Sequence, residues 1–211
     1  SVAKQVRTKT DIGSNPVSFM FTSITLIKKI FDDISSKKAL VVGSGYMIQL
    51  AIKYLQSNNV RDITLTNRNF DKGSKIAKDN GCNYSKLQYL PNIIASHDII
   101  ISCTSSTIPI IGKGMMESSI NNINAKPFVI IDLGVPRDVE PEISDLENVY
   151  LYSIDDLGKV IKNNYKIREQ AVAEAEKIIE YKIEDFKIWL NENDSDNLVK
   201  LYRGYVDDIT N

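Results

Sequence analysis

Ala39-Leu40-Val41-Val42-Gly43-Ser44-Gly45-Tyr46-Met47-Ile48 decides the fold. The first four residues are a short apolar run that stops at a glycine, and residues 46–56 carry Met47, Leu50, Ala51, Tyr54 and Leu55 at helical spacing. Strand, glycine turn and helix therefore follow in order, the arrangement that receives the pyrophosphate of a dinucleotide. Gly43 permits the tight turn and Gly45 lets a phosphate approach the backbone, while the helix start offers free N–H groups and the positive end of its dipole. Ile48 stands where such a turn carries a third glycine, so strand and helix are expected to pack slightly further apart there.

Outward from this turn, residues 62–66 read as a second strand leading into Asn67-Arg68-Asn69, and residues 71–80 as a helix that Asp71 caps and Gly81 closes. Residues 84–89 are a weaker strand, and residues 98–103 and 128–133 are continuous apolar runs of the kind buried on both faces of a parallel sheet. A short run at 149–152 completes about six strands, in keeping with an α/β domain. Upstream, Asn15 is placed to cap a helix starting at Pro16, with Val17, Met20, Ile24, Ile27 and Phe31 on one face.

Downstream, residues 155–190 contain no proline and one glycine, Gly158, in the first turn. Leu157, Ile161, Ala171, Ala175, Ile178, Ile179, Phe186 and Trp189 make an apolar stripe. Such a helix of roughly 35 residues reaches about 50 Å, further than one small domain can cover, so part of the stripe must meet another domain or subunit. Residues 191–196 are expected to break it and residues 197–209 to start another helix. The fold class is thus α/β, a Rossmann-type, doubly wound, mostly parallel sheet followed by a long C-terminal helix. Residues 1–37 form a linker and packing helix, 38–156 the nucleotide domain, 157–190 the long helix and 191–211 the start of a further domain.

Composition bounds the function. Among 211 residues, 26 basic and 27 acidic side chains leave a net charge of −1, without the basic excess that advertises nucleic-acid backbone binding. No apolar run is long enough to span a bilayer and no leader pattern opens the chain, so no membrane partner is expected and a reducing cytoplasm is. Cys82 and Cys103 lie far apart and His97 is the single histidine, which supports neither a disulfide framework nor a metal site. A chain that opens on Ser1 without a cap reads as cut from inside a longer protein.

A free ribose 2′-hydroxyl is usually held by an acid some 20 residues past the glycines, whereas a 2′-phosphate is met by arginine. Here Arg68 stands there, between two amides, with no acid before Asp71. A guanidinium makes charge-assisted, bidentate contacts to phosphate, so NADPH is the expected cofactor. Ser102-Cys103-Thr104-Ser105-Ser106 gives a hydroxyl-rich loop where the nicotinamide ribose would pass. Cys103 has no neighbouring base to activate it and reads as a small buried strand residue; His97 reads as an exposed loop histidine.

At this point the chain resembles the glutamyl-tRNA reductase family. The resemblance runs from Val6-Arg7-Thr8-Lys9-Thr10-Asp11-Ile12-Gly13 through the glycine turn, Asn67-Arg68, residues 102–106 and Ile110-Ile111-Gly112-Lys113-Gly114. Its most specific block is Ile131-Asp132-Leu133-Gly134-Val135-Pro136-Arg137-Asp138-Val139-Glu140-Pro141, continued by Asn148-Val149-Tyr150-Leu151-Tyr152 and Asp155-Asp156-Leu157. Tyr46 departs from the family's common acid, Ile48 from its third glycine and Asn69 from its usual threonine.

The resemblance implies a cofactor site made of Gly43, Ser44, Gly45, Tyr46, Met47, Ile48, Asn67, Arg68, Asn69, Thr104, Ser105, Ser106 and Gly134, with no catalytic residue in this chain. It implies a spinal helix at 157–190 and the start of a dimerisation domain after it. The parent enzyme would be a homodimer, with glutamate-1-semialdehyde aminomutase as a further partner. It would use a cysteine of a catalytic domain outside this chain to form a thioester from glutamyl-tRNA, reduced with NADPH to glutamate 1-semialdehyde for tetrapyrrole synthesis; the chain by itself is expected to be inactive. Two rivals share the glycine turn: a shikimate dehydrogenase-like oxidoreductase, which should lack the long helix and the 132–141 block, and a non-enzymatic NADPH-sensing domain that dimerises through the helix.

Overall fold

Alternate side chains of a strand leave on opposite faces, so an uninterrupted apolar strand needs cover on both. The computed structural model describes residues 2–9, 18–120 and 126–209, with side chains as far as residue 190 apart from Arg7, Arg168 and Gln170. Its strands are β1 (Lys38–Val42), β2 (Asp62–Asn67), β3 (Asn83–Lys86), β4 (Ile99–Ser102), β5 (Phe128–Asp132) and β6 (Val149–Ser153). They form one parallel sheet in the order β3-β2-β1-β4-β5-β6. Helices α1 (Val2–Lys9), α2 (Phe19–Ile30), α3 (Tyr46–Ser57), α4 (Phe70–Asp79), α5 (Leu90–Ile93), α6 (Lys113–Ile120) and α7 (Ile154–Ile209) complete the described chain.

Both faces are packed as the apolar runs require. Ala39, Val41, Ile99, Ile101, Val129 and Ile131 meet Ile24 and Ile27 of α2 and Ile48, Ile52 and Leu55 of α3. Leu40, Val42, Ile100, Phe128 and Ile130 meet Leu90, Ile94 and Met116 on the other side. Each fully buried Val, Leu, Ile, Phe or Met among them contributes about 1.5–3 kcal/mol, so the central strands β1, β4 and β5 carry much of the domain's cohesion. The chain winds outward from β1 to β3 and returns to place β4 against β1. The C-terminal ends of these two strands therefore diverge into connections that leave in opposite directions, and a crevice opens between them.

Four expectations change. α2 begins at Phe19, not Pro16: the Ser18 hydroxyl accepts the Phe21 N–H at 3.2 Å, while Asn15 lies outside the described residues. The third strand ends at Lys86, and Leu87–Tyr89 is a helical turn leading into α5, because Pro91 has no N–H for a ladder but suits a first helical turn. Asn69, rather than Asp71, caps α4, its side chain accepting the Lys72 N–H at 2.9 Å. No break occurs at 191–196, since α7 runs to Ile209; Asn and Asp lower helix propensity by only about 0.7 kcal/mol each, and neither glycine nor proline interrupts that stretch.

The chain divides into two compact units, residues 16–162 and residues 1–15 with 163–211. The first is the sheet domain, into whose core Leu157 of α7 packs. Within the second, Ala171 and Ala175 are buried, whereas Ile179, Ile183, Phe186 and Trp189 are exposed. Among the described residues no helix is long and apolar enough to cross a membrane.

Candidate nucleotide-binding site

The glycine turn shapes the first wall of the crevice. Gly43 takes a φ of +123°, and its N–H donates to the Thr66 carbonyl at 2.9 Å, tying the turn to the end of β2. A Cβ there would lie 2.3 Å from the Cys103 carbonyl oxygen, so only glycine fits. Gly45 is the N-cap of α3 and brings no side chain to the helix's first N–H groups. A Cβ on Gly45 would meet nothing within 4 Å, which leaves the backbone open to the crevice. Tyr46 is 75% exposed, Met47 is half-buried against the core and Ile48 is fully buried, and none of the three lines the crevice. Ile48 Cγ1 lies 3.2 Å from where the Gly43 Cβ would be, filling the space a third glycine would have left.

The crevice encloses about 390 Å³ and brings together Gly43, Ser44, Gly45, Asn67, Arg68, Thr104, Ser105 and Ser106 of the expected set. Val42, Lys72, Leu87, Cys103 and Ile110 also line it. Lys72 was legible in principle: it lies four residues beyond Arg68, in the first turn of α4, and so returns to the same edge. Arg68 and Lys72 put two cations in a cleft whose described lining contains no carboxylate, a charge balance suited to a phosphate. The Asn67 side chain donates to the Asn69 carbonyl at 3.0 Å and steadies this corner. Asn69 is occupied as the α4 cap and does not line the crevice.

The opposite wall follows β4 and is held by two buried acids. Asp138 accepts the Ser102 hydroxyl and the Thr104 N–H, both at 2.7 Å, and the Thr104 hydroxyl as well. Asp132, at the end of β5, accepts the N–H groups of Gly134 at 3.0 Å, Asp138 at 3.2 Å and Val139 at 3.3 Å, and pairs with Arg137 Nε at 3.5 Å. Burial pushes the Asp132 carboxyl above the usual range, against the pull of these amides. Gly134 lies in this braced loop and does not line the crevice; a Cβ on it would sit 2.7 Å from Asp138 Cγ, so its smallness admits the Asp138 carboxylate.

Two side chains outside the set are clarified. Burial and then the charges of Asp138 and Asp132 raise the Cys103 thiol, the reverse of what activates a nucleophile. His97 is not an exposed loop residue: it is buried, with Nδ1 2.8 Å from the Ile93 carbonyl and Nε2 3.0 Å from Thr64 Oγ1. A carbonyl can only accept, so Nδ1 carries a proton. Among the described residues no cluster of His, Cys, Asp or Glu could hold a metal.

An uncapped helix start, an open glycine backbone, two cations beyond β2 and a polar loop beyond β4 fit the pyrophosphate, the adenosine phosphate and the second ribose of a dinucleotide. Residues 25–160 match the family described as shikimate / quinate 5-dehydrogenase. The chain belongs to that family. Over its greater length it is similar to glutamyl-tRNA reductases: 40% identical to that of Pseudomonas putida (strain W619) over 203 residues, 96% of this chain and 48% of the relative. It is 42% identical to that of Methylococcus capsulatus over 190 residues, 90% of this chain and 45% of the relative.

Among solved structures, the glutamyl-tRNA reductase from Methanopyrus kandleri superposes with a TM-score of 0.81 at 27% identity, covering 90% of this chain and 48% of that one. The nucleotide-binding domain of the Thermoplasma volcanium glutamyl-tRNA reductase, at 23% identity and a TM-score of 0.58 over 74% of this chain and 99% of that one, supports the fold. The chain spans about half the length of the curated relatives it matches. The family match belongs to the nucleotide domain that both oxidoreductase readings share, and the resemblance to glutamyl-tRNA reductase is borne out over nearly the whole chain. A dehydrogenase-type domain of this family implies a nicotinamide cofactor.

Proposed function

We propose that this chain is the nucleotide-binding portion of a glutamyl-tRNA reductase, that its cofactor is NADPH, and that the whole enzyme reduces glutamyl-tRNA to glutamate 1-semialdehyde for tetrapyrrole synthesis. The observation that carries the cofactor choice is the pairing of Arg68 and Lys72 in a crevice without a lining acid. When bound, the cofactor supplies the hydride. The chain's own residues orient it: the first-turn amides of α3 hold the pyrophosphate, Arg68 and Lys72 the 2′-phosphate, and the residues after β4 the nicotinamide ribose. Cys103, its thiol raised, is unsuited to forming the acyl intermediate, which calls for a thiol elsewhere in the enzyme. A homodimer in the cytoplasm, with glutamate-1-semialdehyde aminomutase receiving the reactive product, completes this reading.

Titration calorimetry with NADPH and NADH tests the cofactor assignment. NADPH is expected to bind more tightly, and Arg68→Ala to remove most of that preference, since a hydrogen bond to a charged group contributes about 1.5–3 kcal/mol, roughly 10- to 150-fold in affinity. Equal affinities for the two nucleotides, or a preference that survives Arg68→Ala, would overturn it.

A further inference from the structure

We propose that Asp138 is the positioning residue of the nucleotide crevice, clamping the wall formed by residues 104–110 at both ends and thereby presenting the Ser105 N–H to the cofactor. This rests on reading the crevice as a dinucleotide site.

At the near end of the wall, one carboxylate takes both the N–H and the hydroxyl of Thr104, together with the Ser102 hydroxyl. Holding a residue by its main chain and its side chain at once fixes its backbone and its χ1 together. The Thr104 hydroxyl, donating a hydrogen bond to Asp138, accepts the Ser106 N–H at 3.1 Å. At the far end, the Asp138 carbonyl accepts the N–H groups of Ile110 at 2.7 Å and Ile111 at 3.0 Å. A single residue of the loop after β5 thus grips both ends of the loop after β4.

The N–H groups of Thr104 and Ser106 are used within the protein, while that of Ser105, between them and lining the crevice, has no acceptor among the described residues. Ser105 is exposed, so its N–H is open to solvent in the free chain and available to an acceptor entering the crevice.

Asp138 is itself fully buried, and among the described residues no Lys, Arg or His pairs with it. Its carboxylate is stabilised by these donors, and removing its charge removes the acceptor that organises them. Asp132 is one step back, fixing the Asp138 N–H at 3.2 Å and, through Gly134 and Val139, the loop that carries it.

The test compares Asp138→Asn and Thr104→Val with Ile130→Val, a core change in β5 that weakens packing without removing any of the wall's hydrogen bonds. Amide hydrogen exchange of the ligand-free chain and NADPH titration are measured on each. Asp138→Asn puts an amide donor where an acceptor is needed, and is expected to expose the Thr104 and Ser106 amides to exchange and to weaken NADPH tenfold or more. Thr104→Val keeps the carboxylate but loses the hydroxyl that holds Ser106. Its Ser106 amide should exchange faster and its NADPH affinity fall several-fold, whereas Ile130→Val keeps both at parent values.

Unchanged Ser106 exchange and NADPH affinity within twofold of the parent, in folded Asp138→Asn or Thr104→Val, would overturn the positioning role. If Asp138→Asn does not fold, Thr104→Val decides alone. Should the parent chain not bind NADPH, the functional reading falls, and exchange in the ligand-free variants still decides whether Asp138 holds the wall.

Discussion

Gly43 answers two demands at one atom. Its φ of +123° is one that side-chain-bearing residues rarely adopt, and its missing Cβ is the space in which the Cys103 carbonyl sits. That carbonyl cannot retreat freely, because the Cys103 N–H is bonded to Val42 at 3.0 Å, β1 against β4. Gly43→Ala therefore combines backbone strain with overpacking, each about 1–3 kcal/mol, and is expected to lower the thermal midpoint sharply. Gly45→Ala meets no atom, so it should fold like the parent and lose nucleotide affinity only, by obstructing the approach to the backbone. Differential scanning fluorimetry with and without NADPH separates the two, and a Gly43→Ala midpoint equal to the parent's would refute the packing argument. These glycines were legible because a turn is a local event. Asp138 was not, since its partner Thr104 lies 34 positions away and no spacing rule connects two loops that follow different strands. For the same reason the closeness of the Asp138 carboxylate to Gly134, whose missing Cβ makes room for it, was not legible either.

Elements tell a parallel story at the other edge of the sheet, where β4 begins. Asp98 accepts the Lys38 N–H at 2.9 Å and pairs with Lys126 at 3.1 Å, and Lys126 also donates to the His97 carbonyl at 3.1 Å. The His97 ring inserts beside β2, and burial holds its pKa below the ordinary value, with Asp62 pulling the other way and Lys38 and Lys126 adding to the depression. A histidine with a depressed folded pKa contributes stability that is present above its unfolded pKa, about 6.5, and is lost as pH falls through the folded value. Urea midpoints should therefore drop as the parent is acidified below that pH, and His97→Gln should flatten this part of the profile; identical slopes would exclude His97 as the cause. The continuous apolar strands at 98–103 and 128–133 were readable from composition because burial on both faces selects apolar side chains along most of each strand. Whether a histidine at a strand's entrance points to water or to a threonine 33 positions earlier depends on the neighbouring strand, which sequence pattern does not reach. The unbroken α7 was misread for a related reason: weak helix formers become a break only when something competes for their backbone.

For the whole molecule, α7 sets the main liability. Ala171 and Ala175 are buried, but Ile179, Ile183, Phe186, Ile188 and Trp189 are each more than 40% exposed, and Phe186 stacks on Trp189 with centroids 5.7 Å apart. An apolar surface of this kind favours association. Sedimentation velocity over a wide concentration range is expected to show reversible self-association that Phe186→Glu weakens; a strict monomer at high concentration, unaffected by that change, would count against it. The sheet domain has a different dependence. Because α3 begins on Gly45 without a side-chain cap, an anionic nucleotide bound as proposed would finish this helix. A ligand that binds only the folded chain, at a hundred times its dissociation constant, adds about 2.7 kcal/mol, or roughly 5–10 °C in midpoint for a chain of this size. Abundance in the cell would then follow the total supply of the nucleotide, since its oxidised and reduced forms carry the same pyrophosphate and 2′-phosphate. If that pool runs short, the unfilled domain would open more often and proteases would remove it sooner, so that nucleotide supply would set how much of the protein persists.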